Sequence, residues 1–126
     1  MKNFKKIILL CLLFLFFWFL FIIKLPITYI ADDSPETITC HNLLWIQHPP
    51  GYALNTLIGK IFSLLPVGNP MFKSNLMSMF FHILAAIILF LMVLELLKNT
   101  NDKLLINVIA VISMLFYLFS NSGFLQ

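Results

Sequence analysis

The chain has 126 residues, 61% of them hydrophobic and only 10% charged, with a mean hydropathy of +1.00. Its apolar residues gather into long uncharged runs, which excludes a soluble enzyme, a secreted disulfide scaffold and a nucleic-acid-binding domain, and defines an integral membrane protein. Eight cations, all lysine, face five acids for a net charge of +3. They flank the apolar runs, as membrane-orienting charges do, and are not clustered with arginine as on a phosphate-binding surface.

The first run, Ile7 to Ile23, follows Lys2, Lys5 and Lys6 and is closed by Lys24. At the helical rise it covers about 25 Å, and the flanking lysines can snorkel to complete a crossing of roughly 30 Å. A signal peptide shares the basic start but has a shorter apolar core and a small-x-small cleavage site. Tyr29-Ile30-Ala31 is a poor site of that kind, so the helix is read as retained. Its phenylalanines, Phe14 to Phe17 among them, are read as lipid-facing bulk. Cys11 lies inside this run, which makes Cys11 and Cys40 poor disulfide partners and Cys40 a free thiol.

Residues 24–74 form a long loop. Leu25-Pro26 ends the first helix, because proline disfavours a helical residue before it. Asp32-Asp33-Ser34-Pro35-Glu36 then opens a short helix expected from Pro35 to about Ile46, which Gln47-His48-Pro49-Pro50-Gly51-Tyr52 breaks. Beyond the break Leu54, Leu57, Ile58, Ile61 and Leu65 recur at helical spacing, with Asn55, Thr56, Lys60 and Ser63 mainly on the other side. This is an amphipathic helix too short to span, of the kind that lies in a membrane interface. Pro66-Val67-Gly68-Asn69-Pro70 stops it and turns the chain into a second span.

The second span is expected from about Asn75 to Leu97 and the third from about Leu104 to Phe119, joined by the polar hairpin loop Lys98–Lys103. Lys2, Lys5 and Lys6 then share a side with Lys98 and Lys103, two crossings apart. By the positive-inside rule the N-terminus is cytoplasmic and residues 24–74 lie outside, in a multi-pass protein of the plasma (inner) membrane. The expected fold is therefore all-α: about three transmembrane helices, at 7–23, 75–97 and 104–119, and an outer loop with a short helix and an interfacial helix. Residues 1–126 are read as one domain.

The residues able to do chemistry sit mainly in the outer loop. Asp33-x-x-Glu36, with Ser34 before Pro35, has the spacing of a helix-capping pair. The same carboxylates stand at the lipid–water boundary, where one could deprotonate a hydroxyl or hold a cation near a phosphate. His48 beside Pro-Pro-Gly serves a turn, or presents an imidazole to a phosphate oxygen. His41 lies on the short helix and could equally be surface, and His82, shallow in the second span, reads as a helix contact or an intramembrane functional group. Glu36 and Cys40 share a helical face, but His41 is turned about 100° from Cys40, so no three-ligand metal site follows from the spacing. Glu95 is expected to snorkel beside Lys98.

Asp33-Ser34-Pro35-Glu36, His48-Pro49-Pro50-Gly51-Tyr52, Leu65-Pro66-Val67-Gly68-Asn69 and Phe72-Lys73-Ser74-Asn75-Leu76 follow in an order that resembles the N-terminal part of a family of multi-spanning membrane proteins. That family is similar to the GT-C glycosyltransferases, which include the protein O-mannosyltransferases, and the resemblance covers about Ile27 to Leu97. Pro35 stands at a motif glycine, Asp32 at the glycine before Asp33, Ala53 at a proline and Lys73 where arginine is usual. No carboxylate is lost. GT-C enzymes carry many more spans than three, so the chain reads as a fragment of such an enzyme or a truncated gene product.

The resemblance implies transfer of a sugar from a polyprenyl-phosphate donor to a hydroxyl acceptor, on a protein or a glycan, at the outer membrane face. Asp33 would act as the catalytic base with Glu36 as its understudy or acceptor binder. Ser34, His48 and Tyr52 would shape the substrate site, beside the lipid bilayer. No metal ligand set and no cofactor are called for, and a divalent metal stays open. A lone three-span piece is expected to be inactive. The rival reading is a small non-enzymatic three-span protein that binds a partner or a lipid, in which Asp33 and Glu36 only cap a helix.

Overall fold

The computed structural model describes residues 2–23, 25, 34–47 and 52–120. Five helices follow in chain order: α1 (Lys2–Ile22), α2 (Ser34–Leu43), α3 (Ala53–Ser63), α4 (Pro70–Leu96) and α5 (Lys103–Ser120). Among the described residues there is no strand, and the fold is all-α as the sequence leads one to expect. Two helices, α4 and α5, are long and apolar enough to cross a membrane. The described apolar part of α1, Leu10–Ile22, is shorter.

The chain divides into two compact units, one holding residues up to Leu20 with those from Phe80 onward, the other Phe21–Met79. In the first, Phe14 and Trp18 stack at 5.7 Å, and both meet the Phe80 ring edge-on, at 5.4 and 6.0 Å. The phenylalanines of α1 are thus only partly lipid-facing bulk. Phe17 is buried and the Phe14–Trp18 pair packs on α4, whereas Phe16 and Phe19 are exposed. An i, i+4 aromatic pair on one helical face is what this contact needs.

On α5 the buried residues are Ile106, Ala110, Met114 and Leu118, a strict four-residue repeat that makes one stripe. The other faces leave Leu105, Val108, Ile112 and Phe116 exposed. A helix apolar all round suits lipid, where helix association rests on close packing at small residues rather than on the hydrophobic effect. Ala86 on α4 and Ala110 on α5, both fully buried, are such residues. His82 is buried, stacks on Tyr117 at 4.9 Å, and has Nε2 3.4 Å from the Leu118 carbonyl oxygen. It is a contact between α4 and α5, the plainer of its two readings.

The helix ends are set by short-range chemistry. Asp102 Oδ1 accepts from the backbone N–H groups of Leu104 and Leu105, both at 3.0 Å, and so caps α5. At the other end of the hairpin Lys98 Nζ pairs with Glu95 at 2.5 Å, as its snorkelling position suggests. The second span begins at Pro70, five residues before the expected Asn75. Asn69 Oδ1 accepts from the Phe72 N–H at 2.8 Å, and Pro70 occupies the first helical position, where its missing N–H costs nothing. Pro70 therefore starts α4 instead of merely ending a turn.

In the second unit α2 packs against α3. The short helix stops at Leu43, earlier than Ile46, where Leu44 turns left-handed at φ 58°. The amphipathic helix is present at Ala53–Ser63, beside the expected Leu54 to Leu65. Its apolar side faces outward: Leu54, Leu57 and Ile61 are exposed while Thr56 and Gly59 are buried.

Candidate functional site

The second unit is organised by hydrogen bonds along its polar inner face. His41, for which the sequence leaves surface and site equally open, is 1% exposed. With the Asn55 amide donating to Nε2 at 3.1 Å, the imidazole is the Nδ1–H tautomer, and Ser74 Oγ accepts from Nδ1 at 2.9 Å. One ring thereby joins α2 to α3 and to the second turn of α4. Gly59 on α3 lies against the ring face, so that a Cβ there would fall inside it.

Two lysines close the helix ends beside this ring. Lys60 Nζ donates to the Asn42 carbonyl at the end of α2, at 2.5 Å, and Lys73 Nζ donates to the Ser63 carbonyl at the end of α3, at 2.9 Å. A cation at a helix C-terminus satisfies a carbonyl left over by the helix and opposes the negative end of its dipole. Gln47 folds back on α2, its Nε2 donating to Thr37 Oγ1, while Gln47 Oε1 and Thr56 Oγ1 are buried without a hydrogen-bond partner.

Burial without a compensating charge lowers the His41 pKa below the ordinary histidine value. Folding therefore favours the neutral ring, and the unfolded chain binds the extra proton. The contribution of His41 to stability is complete above the unfolded pKa of about 6.5 and is lost as pH falls from there toward the folded pKa. We expect amide protection in α2 and α3 to fall over that acid range, and His41→Gln to flatten the dependence. Hydrogen exchange followed against pH checks it, and an equally steep fall in the variant would assign the effect to another group.

Of the residues singled out from sequence, Glu36 stands in the first turn of α2. Burial, and next the Glu36 carboxylate, raise the pKa of Cys40, which is a buried free thiol. Ser34 is the first residue of α2. Tyr52 precedes α3, exposed and left-handed (φ 31°, ψ 46°), a backbone conformation that costs a bulky residue about 1–3 kcal/mol and often marks a functional turn. Its carbonyl accepts the Thr56 N–H at 3.1 Å. Asp33 and His48 lie outside the described residues.

Among the described residues no three His, Cys, Asp or Glu side chains come together as a metal would require. Both nitrogens of His41 are taken by Asn55 and Ser74, so it is not a ligand in waiting beside Glu36 and Cys40. The His41–Asn55–Ser74 junction escaped sequence reading because its members are 14 and 33 residues apart. The one local hint is the small, polar inner side of α3.

The described residues thus define a class: an all-helical chain with two helices long and apolar enough to cross a membrane, and a hydrogen-bonded pair of short helices ahead of them in the chain. Residues 33–126 match the family model for the protein O-mannosyl-transferase TMEM260 N-terminal domain, and the chain belongs to that family. Protein O-mannosyl-transferase TMEM260 of Mus musculus is 38% identical over 77 residues, which cover 60% of this chain and 11% of that relative. The chain thus spans only a small part of the length of the curated relative it matches. No solved structure matches it.

Proposed function

We propose that this chain is the N-terminal part of a membrane glycosyltransferase that moves a sugar from a polyprenyl-phosphate donor to a hydroxyl acceptor, a protein side chain by preference. The observation that carries the reading is membership of a family described as protein O-mannosyl-transferase, through a match running from Asp33 to the end of the chain. In this reading the N-terminus is cytoplasmic, residues 24–74 lie at the outer face of the plasma (inner) membrane, and the polytopic domain has a GT-C architecture.

Asp33 takes the proton from the acceptor hydroxyl as its oxygen attacks the anomeric carbon. The bond from that carbon to the lipid phosphate breaks with inversion, and the phosphate departs with the electron pair. Glu36, one helical turn further on, orients the acceptor or substitutes as base. Ser34, His48 and Tyr52 line the substrate site. A lipid-borne donor requires its reaction centre at the membrane surface, which is where the carboxylate-bearing start of α2 would stand.

The test is transfer by the native full-length protein in vesicles, given labelled sugar on either a polyprenyl phosphate or a nucleotide, with a serine- and threonine-containing peptide as acceptor. Labelled peptide is expected from the lipid donor and with inverted configuration at the sugar. Transfer from the nucleotide donor alone, or none from either, would overturn the reading.

A further inference from the structure

The imidazole of His41 ties together the helices that carry the proposed site. Ser34 and Glu36 stand in the first turn of α2, and Tyr52 immediately precedes α3. Asn55, which donates to His41 Nε2 at 3.1 Å, lies one turn beyond Tyr52. Ser74, which accepts from Nδ1 at 2.9 Å, lies in the second turn of α4. The ring is also packed against Gly59, so it is seated on α3 by contact as well as by a hydrogen bond.

We propose that neutral His41 is a positioning residue for glycosyl transfer, fixing the carboxylate-bearing helix α2 against the turn at Tyr52 and against α4. The inference rests on the reading of the chain as part of a glycosyltransferase. His41 touches no substrate in this scheme and acts through α2. Reacting groups must be held in near-attack geometry, and a misplacement of about 1 Å costs about 10²-fold in rate. The Lys60–Asn42 bond between α2 and α3 reaches through a flexible side chain and fixes that geometry less closely than a buried ring.

The neutral form matters because of the donor that faces it. A proton added at Nε2 displaces the Asn55 amide until that amide turns over. The nearest titratable groups along the three helices are Glu36 and Cys40 on α2, Lys60 on α3 and Lys73 on α4. Cys40 is a buried thiol whose pKa is raised, and both lysines are engaged with helix-end carbonyls. Burial is what opposes a charge on the ring, so the neutral form persists below the ordinary histidine pKa.

Asn55 is only half-buried, which makes it the place to test the link. Asn55→Ala removes it. Asn55→Asp keeps it, since a carboxylate accepts from Nε2 and stabilises the imidazolium, which can then donate to both partners. In the native full-length protein in vesicles, Asn55→Ala is expected to lower kcat at saturating lipid donor by about 10–100-fold, with KM for that donor changed by less than about two-fold. Wild-type kcat is expected to be complete above about pH 6.5 and to fall as pH drops through the folded His41 pKa below it, ahead of an ordinary aspartate at about 3.9. Asn55→Asp is expected to remove that fall.

Spin labels at the exposed residues Pro35 and Ala53 follow the spacing of α2 and α3 without turnover. A narrow distance distribution is expected, broadened in Asn55→Ala and not in Asn55→Asp. Unchanged spacing or unchanged kcat in Asn55→Ala would overturn the positioning role. So would an Asn55→Asp protein that loses as much activity as Asn55→Ala, or keeps the wild-type acid fall. Failure of the underlying reading looks different: the wild-type protein gives no labelled peptide from the lipid donor although its spacing is narrow, and the positioning role falls with it.

Discussion

Asp33→Asn in the native full-length protein is expected to lower glycosyl transfer by about 10²–10⁴-fold, the range a positioned general base contributes. That corresponds to about 2.7–5.4 kcal/mol of transition-state stabilisation. Asparagine is nearly isosteric with aspartate and caps helices as well as it does, so even if Asp33 serves as a cap the substitution should leave the start of α2 and membrane insertion intact. It cannot accept the hydroxyl proton. Asp33→Ser sharpens the comparison, since serine also caps well: a pure capping role predicts near-normal turnover in both variants, and a base predicts loss in both. Turnover at saturating lipid donor, with insertion followed separately, distinguishes these outcomes. Near-normal transfer would remove Asp33 from the mechanism.

Gly59→Ala is expected to destabilise the second unit, against the usual rule for helices. Alanine in a helix interior is favoured over glycine by about 1 kcal/mol. Here the added Cβ would lie 2.5 Å from His41 Nε2 and closer still to other ring atoms. The ring is not a flexible end that can swing aside, since it is buried and held at both nitrogens. Overpacking of about 1–3 kcal/mol, with the loss of one or both hydrogen bonds at about 1 kcal/mol each, outweighs the propensity gain. Faster hydrogen exchange in α2 and α3 is the readout. Adding His41→Ala removes the clash, so the two substitutions should be less damaging together than their sum. A Gly59→Ala protein as protected as the parent would show that α3 can shift to make room.

Much of this architecture was legible because local rules decide it. Long uncharged runs mark α1, α4 and α5, and Pro-Pro-Gly separates α2 from α3. The spacing of Leu54, Leu57 and Ile61 marks an amphipathic helix. Pro66 to Pro70 reads as a stop and a turn, so the start of α4 at Pro70, with Asn69 Oδ1 accepting from the Phe72 N–H, was not read from it. What could not be read is long-range. No periodicity tells a histidine on α2 that its partners are an asparagine on α3 and a serine on α4, and so the sequence leaves the place of His41 open. The early end of α2 depends on Leu44 adopting a left-handed conformation, which leucine does not advertise. Glu36 is where the capping pattern puts it, in the first turn of α2.

The junction at His41 also carries an implication for biogenesis. Synthesis delivers α2 and α3 before α4, yet the Ser74 hydroxyl that His41 holds and the Lys73 ammonium that closes α3 belong to the opening turns of α4. Until those turns emerge, α2 and α3 have each other but no anchor. The extension therefore closes retroactively, from its C-terminal end, once α4 is in place. Cutting the chain ahead of Lys73 would leave α2 and α3 held only to each other, through the Asn55–His41 and Lys60–Asn42 hydrogen bonds.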